Sequence, residues 1–341
     1  MSLIATLKTA LKRVLRPEPK PLTDFEYRTL PWIDKKEADI DAFIRQYGRK
    51  NDFPYDLREK LQFWKENGYV ILEKAIPDSW LDMLWSEVEE VFTNNDKYAI
   101  KIQVDLPEYT GRSVQIAKDL PQNVINGQYI KVIDFHNSSV AAKKIMLHKS
   151  IASFLEAVFG DRVIAMQSLF FKYGSQQATH QDFAYVVSEN PSHLAAAWIA
   201  MEDIHIDSGP LFYYPGSHTN QKFNFGNGIF FNGQSARDPN DFARFIEANC
   251  TALGQQRKTL LIKKGDVLLW HAALAHGGDA INNPALTRKS FVCHYSSQNA
   301  YRHHRQKPDE EPVRHTYNGA DVFAHPFLKD HEDLFKGGED L

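Results

Sequence analysis

Cysteine is nearly absent, with two in 341 residues, Cys250 and Cys293. Two such thiols make neither a disulfide framework nor a thiolate cluster, which excludes the small stapled secreted class and points to a reducing compartment. A surplus of either charge is missing too. Forty Lys and Arg against 43 Asp and Glu leave a net charge of −3, without the concentrated basic face that nucleic acid demands, so no nucleic-acid partner is expected. No apolar run approaches the ~20 residues that span a bilayer. The first residues show no continuous apolar core or small-residue cleavage site, so no secretory leader is expected. These absences predict a cytoplasmic protein.

What is present divides the chain into three regions. The length suits one barrel or sandwich domain of about 250 residues with extensions at both ends. Residues 1–52 read as an amphipathic helix followed by a polar arm. In 1–16, Leu3, Ile4, Leu7, Leu11, Val14 and Leu15 form one stripe, Lys8, Lys12, Arg13 and Arg16 lie off it, and Asp and Glu are lacking. That is the pattern of a helix lying in a membrane interface, so peripheral membrane contact is one expectation and docking on the domain is the other.

Residues 53–300 read as the domain itself. A helix ends at Gly68, a strand follows at Tyr69-Val-Ile-Leu72, and Pro77 opens a helix with Trp80, Leu81, Leu84, Trp85, Val88 and Val91 on one face. A third helix is predicted over 139–158. From Val163 onward, short apolar runs at 163–173, 179–187, 194–203, 210–214, 259–263, 266–271 and 288–296 are punctuated by Gly, Pro and Asp-Ser turns. They are too many and too short for a doubly wound fold. The fold class predicted is mostly β with flanking helices (α+β) around a jelly-roll core, the cupin-like double-stranded β-helix. Residues 258–270 are expected to form a hairpin, 219–257 an insertion with a helix near 238–246 that shapes substrate choice, and 301–341 a loosely ordered wrap with solvated histidines.

One constellation carries chemistry. His180 and Asp182 are two apart, so on a strand they share a face and Gln181 points away. His276 comes from a distant strand, and Arg288 opens the strand after it. Two imidazoles and one carboxylate form a facial triad that holds Fe(II) and leaves positions open. A guanidinium beside it grips a dicarboxylate bidentately. The reading is an oxygenase using Fe(II), with 2-oxoglutarate and O2 as cosubstrates.

The segments Phe63-Trp-Lys-Glu-Asn-Gly-Tyr-Val-Ile-Leu72, Tyr129-Ile-Lys-Val-Ile-Asp-Phe135, His180-Gln-Asp-Phe183, Ala197-Trp-Ile-Ala-Met-Glu-Asp203, Ser208-Gly-Pro-Leu211, Pro215-Gly-Ser-His218 and His276 through Arg288 occur in this order. In these the chain resembles the phytanoyl-CoA dioxygenase family from about 63 to 298. The resemblance implies iron on His180, Asp182 and His276, and 2-oxoglutarate near Lys131, Gln167, Leu169, Trp198 and Arg288. It also implies hydroxylation, since related halogenases carry a small residue in place of the carboxylate. One departure is Gly278, where the family often has a hydroxyl that helps the arginine; Ser290 or Thr287 is left to compensate.

Phe183, Tyr185 and His218 are candidate substrate contacts, His271 a residue supporting the site rather than a fourth ligand. Expected partners are a small-molecule, lipid-like or glycan substrate; oligomeric state is left open. Two other classes compete. A cupin-like hydrolase or isomerase would use the same three ligands without O2 or 2-oxoglutarate, and a non-enzymatic binding module would have lost a ligand or the anchor.

Overall fold

The computed structural model describes residues 21–47, 53–111, 113–186, 188–327 and 334–337. The amphipathic stretch 1–16 lies outside the described residues. No helix among them is long and apolar enough to cross a membrane.

In chain order, α1 (Ile40–Tyr47) and α2 (Leu57–Asn67) lead to β1 (Tyr69–Leu72) and α3 (Asp78–Thr93). Then come β2 (Lys101–Val104), β3 (Val114–Ile116), α4 (Gln122–Ile125), β4 (Ile130–Ile133), α5 (Val140–Met146) and α6 (Lys149–Phe159). The second half holds β5 (Val163–Phe171), β6 (Leu194–Ala200), β7 (Leu211–Tyr213), α7 (Pro239–Ala252), β8 (Lys258–Thr259), β9 (Val267–His271), β10 (His276–Gly278) and β11 (Ser290–Ser297). It is followed by β12 (Arg314–Tyr317) and β13 (Ala320–Phe323).

Two sheets face each other as in a jelly roll. The larger has the order β1-β9-β6-β11-β5-β4-β2-β3, and the smaller β10-β7-β8; all these pairs are antiparallel. Strand alternation sorts the core. On β6, Ala195, Ala197 and Ile199 pack toward the helices with Leu84 and Val88 of α3, whereas Ala196, Trp198 and Ala200 pack between the sheets with Leu211 and Tyr213. Because both faces are covered, the whole strand is buried and reads as a continuous apolar run.

Local chemistry sets the element ends. Asp56 caps α2 by accepting from the Glu59 amide at 3.1 Å, and Gly68 ends it at φ +75°, turning the chain into β1. A Cβ on Gly68 would sit 2.5 Å from Nδ1 of His218. The helix expected over 139–158 is two helices. His148 takes extended angles and its ring accepts from the Ser150 amide, starting α6 afresh.

Two further expectations change, and the insertion carries its expected helix as α7. Residues 258–270 do not form a hairpin: β8 pairs with β7 in the small sheet, while β9 lies between β1 and β6 in the large one. The insertion forms a second core of Phe223, Phe225, Phe242 and Ile246, which closes over Phe183. Of the C-terminal segment, 314–323 is not a loose wrap, because β12 and β13 form a hairpin whose β13 adds in parallel to β5. Of its histidines, His325 is buried, Ala320–Phe323 being drawn into the sheet beside it.

Candidate active site

His180 and His276 meet by backbone pairing. Each donates its amide to the other's carbonyl, at 2.8 and 3.0 Å, in one isolated antiparallel bridge at the edge of β10. Asp182 is not on a strand, contrary to the expected run at 179–187. The backbone leaves extended geometry after Gln181 and enters a 3-10 turn at Asp182–Ala184, which swings the carboxylate back beneath the imidazoles. Gln181 points away and donates to the Ala273 carbonyl.

The donor atoms converge. Oδ1 of Asp182 lies 3.7 Å from Nε2 of His180 and 3.5 Å from Nε2 of His276. One donor atom from each of the three residues falls within 4.8 Å of the others. Both rings are turned the same way, since Nδ1 of His180 is 2.9 Å from the Ala178 carbonyl and Nδ1 of His276 is 2.9 Å from the Leu274 carbonyl. A carbonyl only accepts, so the proton sits on Nδ1 and the Nε2 lone pairs face the gap. This donor set fits a divalent ion of the iron type. Burial, with the neighbouring His276, holds His180 at about 3. Burial alone would raise Asp182; His276, then His294 and His180, lower the carboxyl far below the usual range when those rings carry charge. Trp270 donates to its Oδ2 at 2.8 Å, and Nε2 of His294 stands 3.4 Å from the same oxygen.

These residues form one wall of a cavity of about 420 Å³. Arg288 lies in the same cavity, 2% exposed, its guanidinium over the rings of Phe171 and Trp198 at 5.6 and 5.4 Å. Among the described residues the guanidinium makes one hydrogen bond, to the Gly209 carbonyl at 3.4 Å, and Nε makes none. Burial lowers it to about 10, still charged at neutral pH. A buried cation with spare donors calls for an anion, and the distal carboxylate of 2-oxoglutarate fits it.

The structure places Lys131, Gln167, Leu169, Trp198 and Tyr185 in the cavity wall with the triad and Arg288. Phe183 and His218 are not there. The 3-10 turn sends Phe183 into the second core, where it meets Phe25 edge-on at 5.0 Å. His218 follows Gly216, whose φ of +79° starts another 3-10 turn and tucks the ring under Gly68, 5.4 Å from His271. His271 faces Asp34 at 3.3 Å rather than the gap. Among the described residues, none of 219–257 lines the cavity; Phe231 and Phe242 back Tyr185 from outside.

Gly278 has no room for a side chain, because a Cβ would sit 2.6 Å from Ser175 Oγ and 2.9 Å from the Gln176 amide nitrogen. Of the two hydroxyls that could substitute, Thr287 donates to Glu202 at 2.9 Å, whereas Ser290 Oγ is buried without a partner. His294 and Arg305 of the cavity wall were missed by sequence reasoning. For His294 a signal existed: 290, 292 and 294 share one face of β11, in step with Arg288 just before it.

The phytanoyl-CoA dioxygenase (PhyH) family profile matches residues 64–290, more than half of the chain. The chain belongs to the phytanoyl-CoA dioxygenase family. Similar relatives include the peroxisomal phytanoyl-CoA dioxygenases of Bos taurus, 25% identical with 75% of this chain and 72% of the relative covered, and of Homo sapiens, 24% identical with 71% and 69% covered. Among solved structures, the non-heme alpha ketoglutarate dependent carbocyclase SnoK from nogalamycin biosynthesis superposes with TM-score 0.56 at 18% identity, covering 80% of this chain and all of SnoK. EctD from S. alaskensis with 2-oxoglutarate and 5-hydroxyectoine gives 0.53 at 16%, covering 84% and 83%. Membership makes this chain an iron- and 2-oxoglutarate-dependent oxygenase.

Proposed function

We propose that this family member hydroxylates a C–H bond of a small molecule, with release of succinate and CO2. The observation that carries the reading is the pairing, within one cavity, of three convergent ligand atoms with a buried arginine whose donors are unspent. A hydrolase or isomerase on the same triad would leave that buried charge without a purpose. Bound iron and 2-oxoglutarate supply O2 activation and the two electrons gained by decarboxylation.

The chain's own residues bind and orient. His180 and His276 present Nε2, with their Nδ1 protons held by backbone carbonyls, so neither ring can flip without losing a bond. Asp182 presents Oδ1, while its other oxygen accepts from the Trp270 N–H at 2.8 Å. Arg288 holds the far carboxylate and fixes which end of the cosubstrate faces the triad. Leu211, Val292 and Trp270 cover the inner wall and exclude water there.

The cavity adjoins a second lobe of about 280 Å³, and Gln103, Lys131, Phe171, Ser175 and Gln177 border both. With Gln128 and Asp105 set beside Tyr129 and Ile130, its wall mixes amide, hydroxyl and charged groups with apolar ones. That supports a small molecule carrying both polar and apolar parts. The test is succinate formation from 2-oxoglutarate by the Fe(II)-loaded protein under O2, first alone and then with candidate compounds that range from polar to lipid-like. Incorporation of label from ¹⁸O2 into the product separates hydroxylation from epimerisation or ring closure. No O2-dependent succinate from iron-loaded protein would sink the proposal.

A further inference from the structure

Given the metal-site reading above, the proton positions behind Asp182 follow from one group that can only donate. Arg305, in the chain after β11, gives a hydrogen bond from Nη1 to Oε1 of Gln167 at 3.3 Å. A guanidinium has no acceptor, so this end of the amide is the oxygen and the other end is the NH2. That NH2 is 3.1 Å from Nδ1 of His294. Nδ1 therefore accepts, and in the neutral ring the proton is on Nε2. Nε2 is buried without a hydrogen-bond partner among the described residues, and the acceptor it approaches is Oδ2 of Asp182, 3.4 Å away.

Oδ2 thus faces two N–H groups, Trp270 at 2.8 Å and His294 at 3.4 Å, on the side away from the two ligand imidazoles. Oδ1 is the oxygen near both imidazole Nε2 atoms. We propose that Arg305, Gln167 and His294 form a positioning relay that holds Asp182 on the metal through Oδ1 alone. A second carboxylate oxygen on the ion would occupy a position that the cosubstrate or O2 needs, and the relay keeps it occupied elsewhere. Gln167, implied by resemblance as a cosubstrate contact, has both ends of its amide committed to this chain. The C-terminal segment thereby reaches the metal, because Arg305 lies in the cavity wall, its side chain about half exposed and 3.9 Å from Asp134.

The tautomer is the direct test. Long-range ¹H–¹⁵N correlation on histidine-labelled, full-length, Zn(II)-loaded protein should show His294 with its proton on Nε2, the signal being assigned by its loss in His294→Leu. In Gln167→Met the ring should become a mixture of tautomers. A proton on Nδ1 in the native protein overturns the relay. Fe(II) affinity, read by chelator competition, should fall tenfold to a hundredfold in His294→Leu and Gln167→Met, the range for partners of a metal ligand. Arg305→Met should fall less, and Arg305→Lys, which keeps a donor, should restore most of it. Affinities within twofold of native in all variants, at unchanged thermal midpoints, overturn it as well. If His294→Leu does not fold, the native tautomer and the Arg305 pair decide. Nε2–H with metal dependence but no succinate would refute the oxygenase reading and leave the relay standing; succinate with Nδ1–H would do the reverse.

Discussion

Arg288→Ala separates what a buried charge does for binding from what it does for the fold. The guanidinium is 2% exposed, meets one carbonyl at 3.4 Å, and has an unpartnered Nε. Burial takes it from 12.5 to about 10, a penalty on the charged form on the order of 3 kcal/mol. The ligand-free fold carries that penalty, and a bound carboxylate offsets it. Truncating one partner of a buried charge pair costs roughly 2–5 kcal/mol, which at about 1.4 kcal/mol per decade is a loss of at least about thirtyfold in affinity. The variant should therefore bind 2-oxoglutarate at least thirtyfold more weakly, retain iron, and keep or raise its thermal midpoint, since relief of the uncompensated charge opposes the lost packing on Phe171 and Trp198. Anaerobic titration of the Fe(II) protein, followed by the visible band of the cosubstrate complex, gives the affinity, and calorimetry the midpoint. Arg288→Lys should rescue little, because a point charge lacks the fork. Native affinity in Arg288→Ala would refute the reasoning and shift attention to Lys131, the other cation deep in this wall.

Ala at His180, Asp182 or His276 should each remove most of the iron while leaving the fold in place, checked by metal analysis after gel filtration; full occupancy in all three would end the assignment. Gly278→Ser, although it adds the hydroxyl common in the family, should weaken 2-oxoglutarate binding and lower the midpoint, because its Cβ would lie 2.6 Å from Ser175 Oγ. Tighter binding would show that the loop yields. Acid should destabilise the fold well above the carboxylate range. Burial lowers His136 to about 4 and His218 to about 3, whereas unfolded imidazoles protonate near 6.5. Their stabilisation is complete above 6.5 and is lost as pH falls toward 4, by up to about 1.4 kcal/mol per pH unit for each ring. Urea midpoints at pH 7 and 5 measure it, and equal midpoints would contradict both assignments.

Residue type, more than periodicity, made the triad legible. His180, Asp182 and His276 were found by their chemistry, yet the reason first offered, strand alternation, holds for neither end of the pair: the bridge at His180 is a single residue long and Asp182 begins a 3-10 turn. Where alternation was real it worked. On β6 it divides Ala195, Ala197 and Ile199 from Trp198, and on β11 it puts Phe291 and Cys293 in the core opposite Val292 and His294. Phe183 and His218 were misplaced for one physical reason. A 3-10 turn rotates successive side chains by about a third of a turn, so nearness in sequence to a ligand or to a Pro-Gly corner does not give a shared face.

Arg305 shows what local pattern cannot hold. Nothing in Tyr301-Arg-His-His-Arg-Gln306 marks one arginine as part of a cavity wall; the segment is charged and lacks apolar periodicity. Its place follows from a pairing more than 140 residues away in sequence, since β13 joins Ile164 and Ala165 at the start of β5. That parallel register fixes the route of the chain between β11 and β12 past Gln167, two residues on from Ala165. A segment read as loose from composition is thereby ordered by one strand, and with it the donor that orients an amide, an imidazole and a metal carboxylate in turn. Removing β13 should consequently do more than trim an end: it would free the only donor that distinguishes the two faces of the Gln167 amide among the described residues, and with it the reason for His294 to keep its proton toward Asp182.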